Sequence, residues 1–117
     1  MKSHKDLDVW KLSMEMCLSV YKLTEKFPRH ELYGLTAQLR KASVSVASNM
    51  TEGAARQTKK EFVQFLYIAL GSSAEIETQL ELAKMLEYVT EEELQPIFEM
   101  RNRISQMLYG LIRKWKT

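Results

Sequence analysis

The residues best suited to chemistry in this chain crowd into one stretch, where Ser45, Ser48, Asn49, Glu52 and Arg56 lie close together. A hydroxyl, an amide, a carboxylate and a guanidinium at such spacing could serve a nucleophile or hold an anion. Nucleophilic catalysis needs a base to take the hydroxyl proton, and neither His4 nor His30 lies in this stretch. A di-iron bundle site needs His three residues after Glu, which neither histidine satisfies. One Cys and two His fall short of a zinc set, and there is no phosphate-binding glycine loop and no Gly-x-Ser-x-Gly elbow. The expectation is a non-enzymatic protein without metal or cofactor.

The same stretch makes better sense as part of a helix. At about 100° per residue, Gln38, Ser45, Asn49, Glu52 and Arg56 share one line, while Leu35, Leu39, Ala42, Val46, Met50 and Gly53 form an apolar stripe beside it. A helix with a greasy seam and a polar seam has two kinds of neighbour, one in its own subunit and one outside. Ser45, Asn49, Glu52 and Arg56 are therefore read as a structural or assembly seam, with ligand binding as the competing role.

The surrounding pattern is helical throughout. Leu7, Trp10, Met14, Cys17, Val20, Tyr21 and Phe27 recur at three- and four-residue spacing, which predicts a first helix from Leu7 to Lys26 with Asp6 or Asp8 as its cap. Cys17, alone and on this apolar face, reads as a small core residue in a reducing compartment. Phe27-Pro28 opens a connection structured by Leu32 and Tyr33, and a second helix runs from Gly34–Thr36 to about Ala55. Gly53 either admits a close backbone or ends that helix. Thr58-Lys59-Lys60-Glu61 has the form of a capping box and starts a third helix, predicted to reach about Tyr88 and about 45 Å in length. Its inner face carries Phe62, Phe65, Leu66, Ala69, Leu70, Ser73, Ile76, Leu80 and Ala83, with Glu77 projecting within it. Tyr67, Ile68, Leu82 and Leu86 form a second apolar surface, as a subunit contact would require. Thr90-Glu91-Glu92-Glu93 opens a fourth helix, which Pro96 should delay or bend. Its seam is Ile97, Arg101, Ile104, Leu108, Leu111 and Trp115, in which Arg101 either meets a carboxylate such as Glu77 or extends to solvent.

These elements predict an all-α, antiparallel up-down-up-down four-helix bundle, with residues 1–117 as one domain. No apolar run is long enough to span a membrane and no signal-peptide core opens the chain, so no membrane role and a cytoplasmic location are expected. Net charge is +2 but uneven, at +5 over residues 1–60, −8 over 61–100 and +5 over 101–117. Antiparallel packing could neutralise these blocks against one another, or leave a basic surface for nucleic acid.

Several strings carry a resemblance over the whole chain. Val9-Trp10-Lys11, Tyr33-Gly34-Leu35-Thr36-Ala37-Gln38-Leu39-Arg40-Lys41-Ala42, Ser48-Asn49-Met50-Thr51-Glu52-Gly53 and the run from Phe65-Leu66-Tyr67 to Thr78-Gln79-Leu80 resemble, in order, the four-helix-bundle proteins encoded within 23S ribosomal RNA intervening sequences. Met50-Thr51 departs from the aliphatic residue and Ala frequent in that family. The resemblance implies a bacterial bundle that assembles into a homopentamer. It also implies distant similarity to the accessory variability protein of diversity-generating retroelements, whose basic surface serves nucleic acid and a reverse transcriptase.

The expected function is a non-enzymatic oligomeric scaffold associated with RNA or DNA, and the alternative is a protein–protein interaction adaptor. The basic residues Lys2, Lys5, Lys11, Arg40, Lys41, Arg56, Lys59 and Lys60 motivate the first reading, of which Lys11, Arg40, Lys41, Arg56, Lys59 and Lys60 are the candidate contacts. Trp10, Phe62 and Phe65 read as core rather than as platforms for bases.

Overall fold

Two threonines start helices as their spacing predicts. In the computed structural model, which describes residues 3–116, Thr58 and Thr90 each accept the backbone N–H three residues on. Such caps stabilise a helix by about 1 kcal/mol each. At Thr90 the box closes, because Glu93 Oε1 accepts the Thr90 N–H at 2.9 Å. At Thr58 the Glu61 carboxylate accepts the threonine hydroxyl instead, at 3.0 Å. Lys2 and the side chain of Asp6 lie outside the described residues.

Four α-helices are present among the described residues, α1 (Asp8–Thr24), α2 (Leu35–Ala54), α3 (Lys59–Met85) and α4 (Glu91–Trp115), with 3-10 turns at His4–Asp6 and Arg29–Glu31 and no strand. Each helix packs on its neighbour in sequence, α1 and α4 close the ring, and α1 and α3 are diagonal. Side-chain pairs give the directions. Ser45 meets Ser72 and Gly53 meets Phe62 and Phe65 across α2 and α3. Ser73 meets Ser105 and Phe62 meets Trp115 across α3 and α4. Cys17 meets Ser43 across α1 and α2, and Thr24 meets Arg40. In each pair one number rises as the other falls, so the helices run antiparallel. The protein is an all-α four-helix bundle around one hydrophobic cluster, in which Met16, Leu39, Met50, Leu66, Ile76, Leu80, Leu94, Ile104 and Leu108 are fully buried.

The inward face of α1 differs from the expected one. Val9, Ser13, Met16, Val20 and Thr24 face the core, whereas Met14 and Tyr21 are exposed and Leu18 is 59 % exposed. The Ser13 and Thr24 hydroxyls donate to the Val9 and Val20 carbonyls at 2.7 and 2.8 Å. They are buried without unmet hydrogen bonds, which a count of apolar types overlooks. Leu7 occupies the cap position without a side-chain bond, and Asp8 is the first helical residue rather than the cap. Cys17 is half-buried and accepts the Ser43 hydroxyl at 3.4 Å.

Glu31, not Leu32 or Tyr33, organises the first connection; Tyr33 is 93 % exposed. One Glu31 oxygen accepts the Leu35 N–H at the start of α2 (3.0 Å), and the other accepts the Tyr88 hydroxyl (2.8 Å). The Leu35 amide first, then Tyr88, holds the Glu31 carboxyl below the usual carboxylate range. The same bond to Glu31 pushes the Tyr88 hydroxyl up.

α3 stops at Met85, short of Tyr88, because Glu87 adopts φ 64° and Tyr88 N–H turns back to the Ala83 carbonyl at 3.0 Å. On α3 Val63 and Ser72 are buried, while Phe65 and Leu70 sit half-buried at the edge of the face. α4 starts at Glu91 and carries Pro96 inside it, so the helix is not delayed. Both Pro96 and Glu92 are exposed, so water can take the Glu92 carbonyl that the missing N–H would have met. Its buried line is Leu94, Ile97, Ile104, Leu108 and Ile112, with Leu111 and Trp115 half-buried beside it.

Candidate nucleic-acid interface

The polar seam of α2 is largely satisfied within the bundle. Asn49 Nδ2 donates to the Ser45 carbonyl and hydroxyl, both at 2.8 Å, and Ser72 Oγ of α3 donates to Ser45 Oγ at 3.0 Å. Glu52 pairs with Arg56 at 3.1 Å on the surface, and the Arg56 guanidinium lies over the Phe65 ring at 5.0 Å. Gly53 sits within the last turn of α2 where α3 comes close. A Cβ there would stand 2.8 Å from Phe65 Cβ, which identifies Gly53 as a close-approach residue rather than a terminator. Ser48 is exposed and Asn49 half-buried. His30 lies 3.4 Å from the Tyr88 hydroxyl and His4 packs edge-on against Trp10, so both are remote from the seam. Among the described residues no group of three His, Cys, Asp or Glu is placed to hold a metal ion.

A second polar cluster joins α3 to α4. Arg101 pairs with Glu77 at 2.6 Å, and its Nη1 donates to the Ser73 carbonyl at 3.4 Å and the Ser105 hydroxyl at 3.3 Å. The arginine side chain is nearly buried while the Glu77 side chain is 53 % exposed, so Glu77 lies at the rim of the apolar face rather than within it.

The six candidate contacts divide among separate places. Lys11 borders a groove with Asp8, Glu15 and Arg103. Arg40 donates to Thr24 Oγ1 at 2.9 Å and lies over the Tyr21 ring at 4.7 Å, so its guanidinium is engaged between α1 and α2. Lys41 borders the groove holding Ser45, Ser72, Glu75 and Gln79. Arg56, Lys59 and Lys60 come together at the corner between α2 and α3, where the end of α4 brings Lys114, Trp115 and Lys116 beside them. There the Lys59 and Lys114 ammonium groups lie over the Trp115 ring at 5.8 and 5.9 Å. Lys116 donates to the Tyr67 hydroxyl at 3.2 Å.

Two adjoining recesses occupy this end, sharing Lys59 and Trp115, and neither is lined by a carboxylate. The larger, of about 420 Å³, has Lys59, Lys60 and Lys116 at its rim and Val63, Tyr67 and Trp115 as its apolar walls. Among the described residues, none of Lys59, Lys60, Lys114 and Lys116 forms an ion pair. Lys114 and Lys116, in the last turn of α4 and just past it, suit the negative end of that helix, and their nearness to Lys59 is not evident from their place in the chain. The antiparallel register that sets residue 62 against residue 115 was the signal for it.

Residues 5–110 match the family described as 23S rRNA-intervening sequence protein. The chain belongs to that family. A crystal structure from Bacteroides thetaiotaomicron, of a protein of unknown function from the S23 ribosomal protein family, is similar to it with a TM-score of 0.83. That similarity covers 90 % of this chain and 95 % of the other at 25 % identity. No curated protein matches. The intervening-sequence family thus accounts for the bundle and for the order of the strings along it. No helix among the described residues is long and apolar enough to cross a membrane.

Proposed function

We propose that this family member is a non-enzymatic, ring-forming bundle of the bacterial cytoplasm that holds RNA at the end built from Arg56, Lys59, Lys60, Lys114 and Lys116. The observation that carries this reading is the uncompensated charge there: four lysines from two helices with no carboxylate within ion-pair distance among the described residues. Lys59 and Lys60 open α3, at the positive end of its dipole, where cations lower helix stability. A phosphate would reverse that penalty. Each phosphate neutralised contributes about −0.7 to the log–log salt slope for a single strand, so a modest patch binds appreciably only at low salt or when repeated.

Repetition is supported by where the exposed apolar residues sit. Met14, Leu18 and Tyr21 lie on α1, and Tyr67, Ile68, Leu82 and Met85 on α3 with Leu86 just past its end. These two helices are the diagonal pair of the ring, whereas α2 and α4 expose only Val44 and Tyr109 of their large apolar residues among the described residues. A closed ring larger than a dimer joins two different surfaces of each subunit, which diagonal faces provide. A homopentamer would present the basic end five times and raise avidity without a strong site per subunit.

Structured ribosomal RNA and a DNA control titrated at several salt concentrations should bind with affinity that falls steeply with salt. Absence of salt-dependent binding at low ionic strength would end the RNA reading. Light scattering should return a mass near five chains, and a monomer at micromolar concentration would remove the ring. A protein partner that co-purifies after nuclease treatment would favour the adaptor instead.

A further inference from the structure

We infer that the recess between Tyr67 and Trp115 receives an unpaired nucleobase, with the flanking phosphates on Lys59, Lys60 and Lys116. This rests on the RNA reading above and specifies which form of nucleic acid the site takes. The recess of about 420 Å³ falls within the range of small-ligand sites, roughly 300–1,000 Å³. Its composition is divided in the way a nucleotide is. The walls are Val63 and two aromatic rings, and the rim is three ammonium groups. Gln64, also lining it, offers an amide donor and acceptor to a base edge.

Neither ring is fully buried by the fold. Tyr67 is 44 % exposed and stands outside the hydrophobic cluster. Trp115 is half-buried against the core and stands perpendicular to Phe62, with ring planes at 87° and centroids 5.6 Å apart, and its ring also meets the flexible Lys59 and Lys114 ammonium groups. Lys116 likewise lies over the Tyr67 ring at 5.7 Å. Lysines are flexible covers: an incoming phosphate attracts the ammonium groups, and a base takes the ring face that they leave. A duplex keeps its bases stacked and presents only backbone and groove, so it could engage the rim but would leave the apolar walls empty. An unpaired strand engages both parts.

The test uses the full chain carrying Trp10→Phe, so that Trp115 is the sole tryptophan reporter. It is titrated with an unpaired oligoribonucleotide, with the same strand annealed to its complement, and with the same strand made abasic. The unpaired strand should quench Trp115 and bind at least about fivefold tighter than the other two, the loss expected for one stacked base. Tyr67→Ala should bring the unpaired strand down to the duplex affinity; the variant removes an exposed side chain, and circular dichroism checks its fold. Trp115→Ala, read by anisotropy of labelled RNA, should do the same. Equal affinity for all three ligands without quenching would overturn the base site and leave the phosphate-binding function standing. If no ligand binds at low ionic strength, both fall. Tighter binding to anionic lipid vesicles than to the unpaired strand would also overturn the assignment.

Discussion

The two ends of the bundle treat charge in opposite ways. Where α1 passes to α2 and α3 to α4, five charged groups are closely partnered: Lys26 binds Glu93, Lys84 binds Glu81 and Glu91, and Glu31, a sixth, holds both Leu35 N–H and Tyr88. The Lys26 bond and then the Thr90 amide hold the Glu93 carboxyl below its usual range. Glu91, followed by Glu81, raises the Lys84 ammonium. At the other end Arg56 alone of the clustered cations has a carboxylate partner, Glu52. The acidic block of residues 61–100 supplies the partners at the first end, because α3 ends there and α4 begins there. Of its nine carboxylates only Glu61 stands at the far end, where it accepts the Thr58 hydroxyl and pairs with no lysine, while the acids that end α3 and open α4 lie roughly 40 Å away along α3. One end thus spends much of its charge on the fold, and the other leaves four lysines without an ion pair among the described residues.

The contrast breaks most visibly if the retained charge is reversed. Lys59→Glu combined with Lys60→Glu should weaken RNA binding by about 100-fold or more at low salt. Thermal stability should hold within about 0.5 kcal/mol or rise, since acids suit the first turn of α3. Lys26→Gln at the partnered end should do the converse, lowering the melting temperature while RNA affinity stays unchanged. If the reversal variant unfolds and keeps its RNA affinity per folded molecule, the division of roles between the ends fails.

Two backbone sites sharpen the comparison with smaller effects. Gly53→Ala forces a Cβ to 2.8 Å from Phe65 Cβ, and its overpacking outweighs the gain in helix propensity. A net loss of about 1–2 kcal/mol should appear in urea denaturation. At the partnered end, Glu87 sits at φ 64°, a conformation glycine adopts without a Cβ penalty. Glu87→Gly should add about 1 kcal/mol and raise the melting temperature by a few degrees. A drop instead would show that the Glu87 side chain contributes more than its backbone costs.

Helix number, both threonine caps and the two-sided third helix were legible because each depends on spacing within about four residues. The rotation of α1 was not, since Ser13 and Thr24 enter the core through hydrogen bonds to their own helix. Nor was the role of Glu31, whose partners are Leu35 at the start of α2 and Tyr88 in the distant connection between α3 and α4. The basic end was half legible. Arg56, Lys59 and Lys60 adjoin in sequence, whereas Tyr67, Lys114, Trp115 and Lys116 join them only through the register of α3 against α4. The separation of Arg40 from that group follows from Thr24 and Tyr21, partners on a different helix.

The smallest effect belongs to acid. Glu31 and Glu93 both titrate below the usual range in the folded state. A carboxylate depressed on folding contributes stability above its unfolded value, about 4.3 for Glu, and loses it as pH falls through the folded value. Stability of the native chain should therefore hold from neutral pH down to about 5 and decline below about 4.3. Glu31→Gln can still cap Leu35 through its amide oxygen but has no charge to protonate. It should be less stable than the native chain at pH 7, and the gap should narrow at pH 3. Urea midpoints of both chains at pH 7, 5 and 3 measure this directly. The reversal at Lys59 and Lys60 should leave the acid profile unchanged, because neither depressed carboxyl depends on that end for its shift. A gap that stays constant with pH would mean that Glu31 acts through its shape and hydrogen bonds alone, and the partnered end would owe its order to packing such as that of Phe27 on Tyr88.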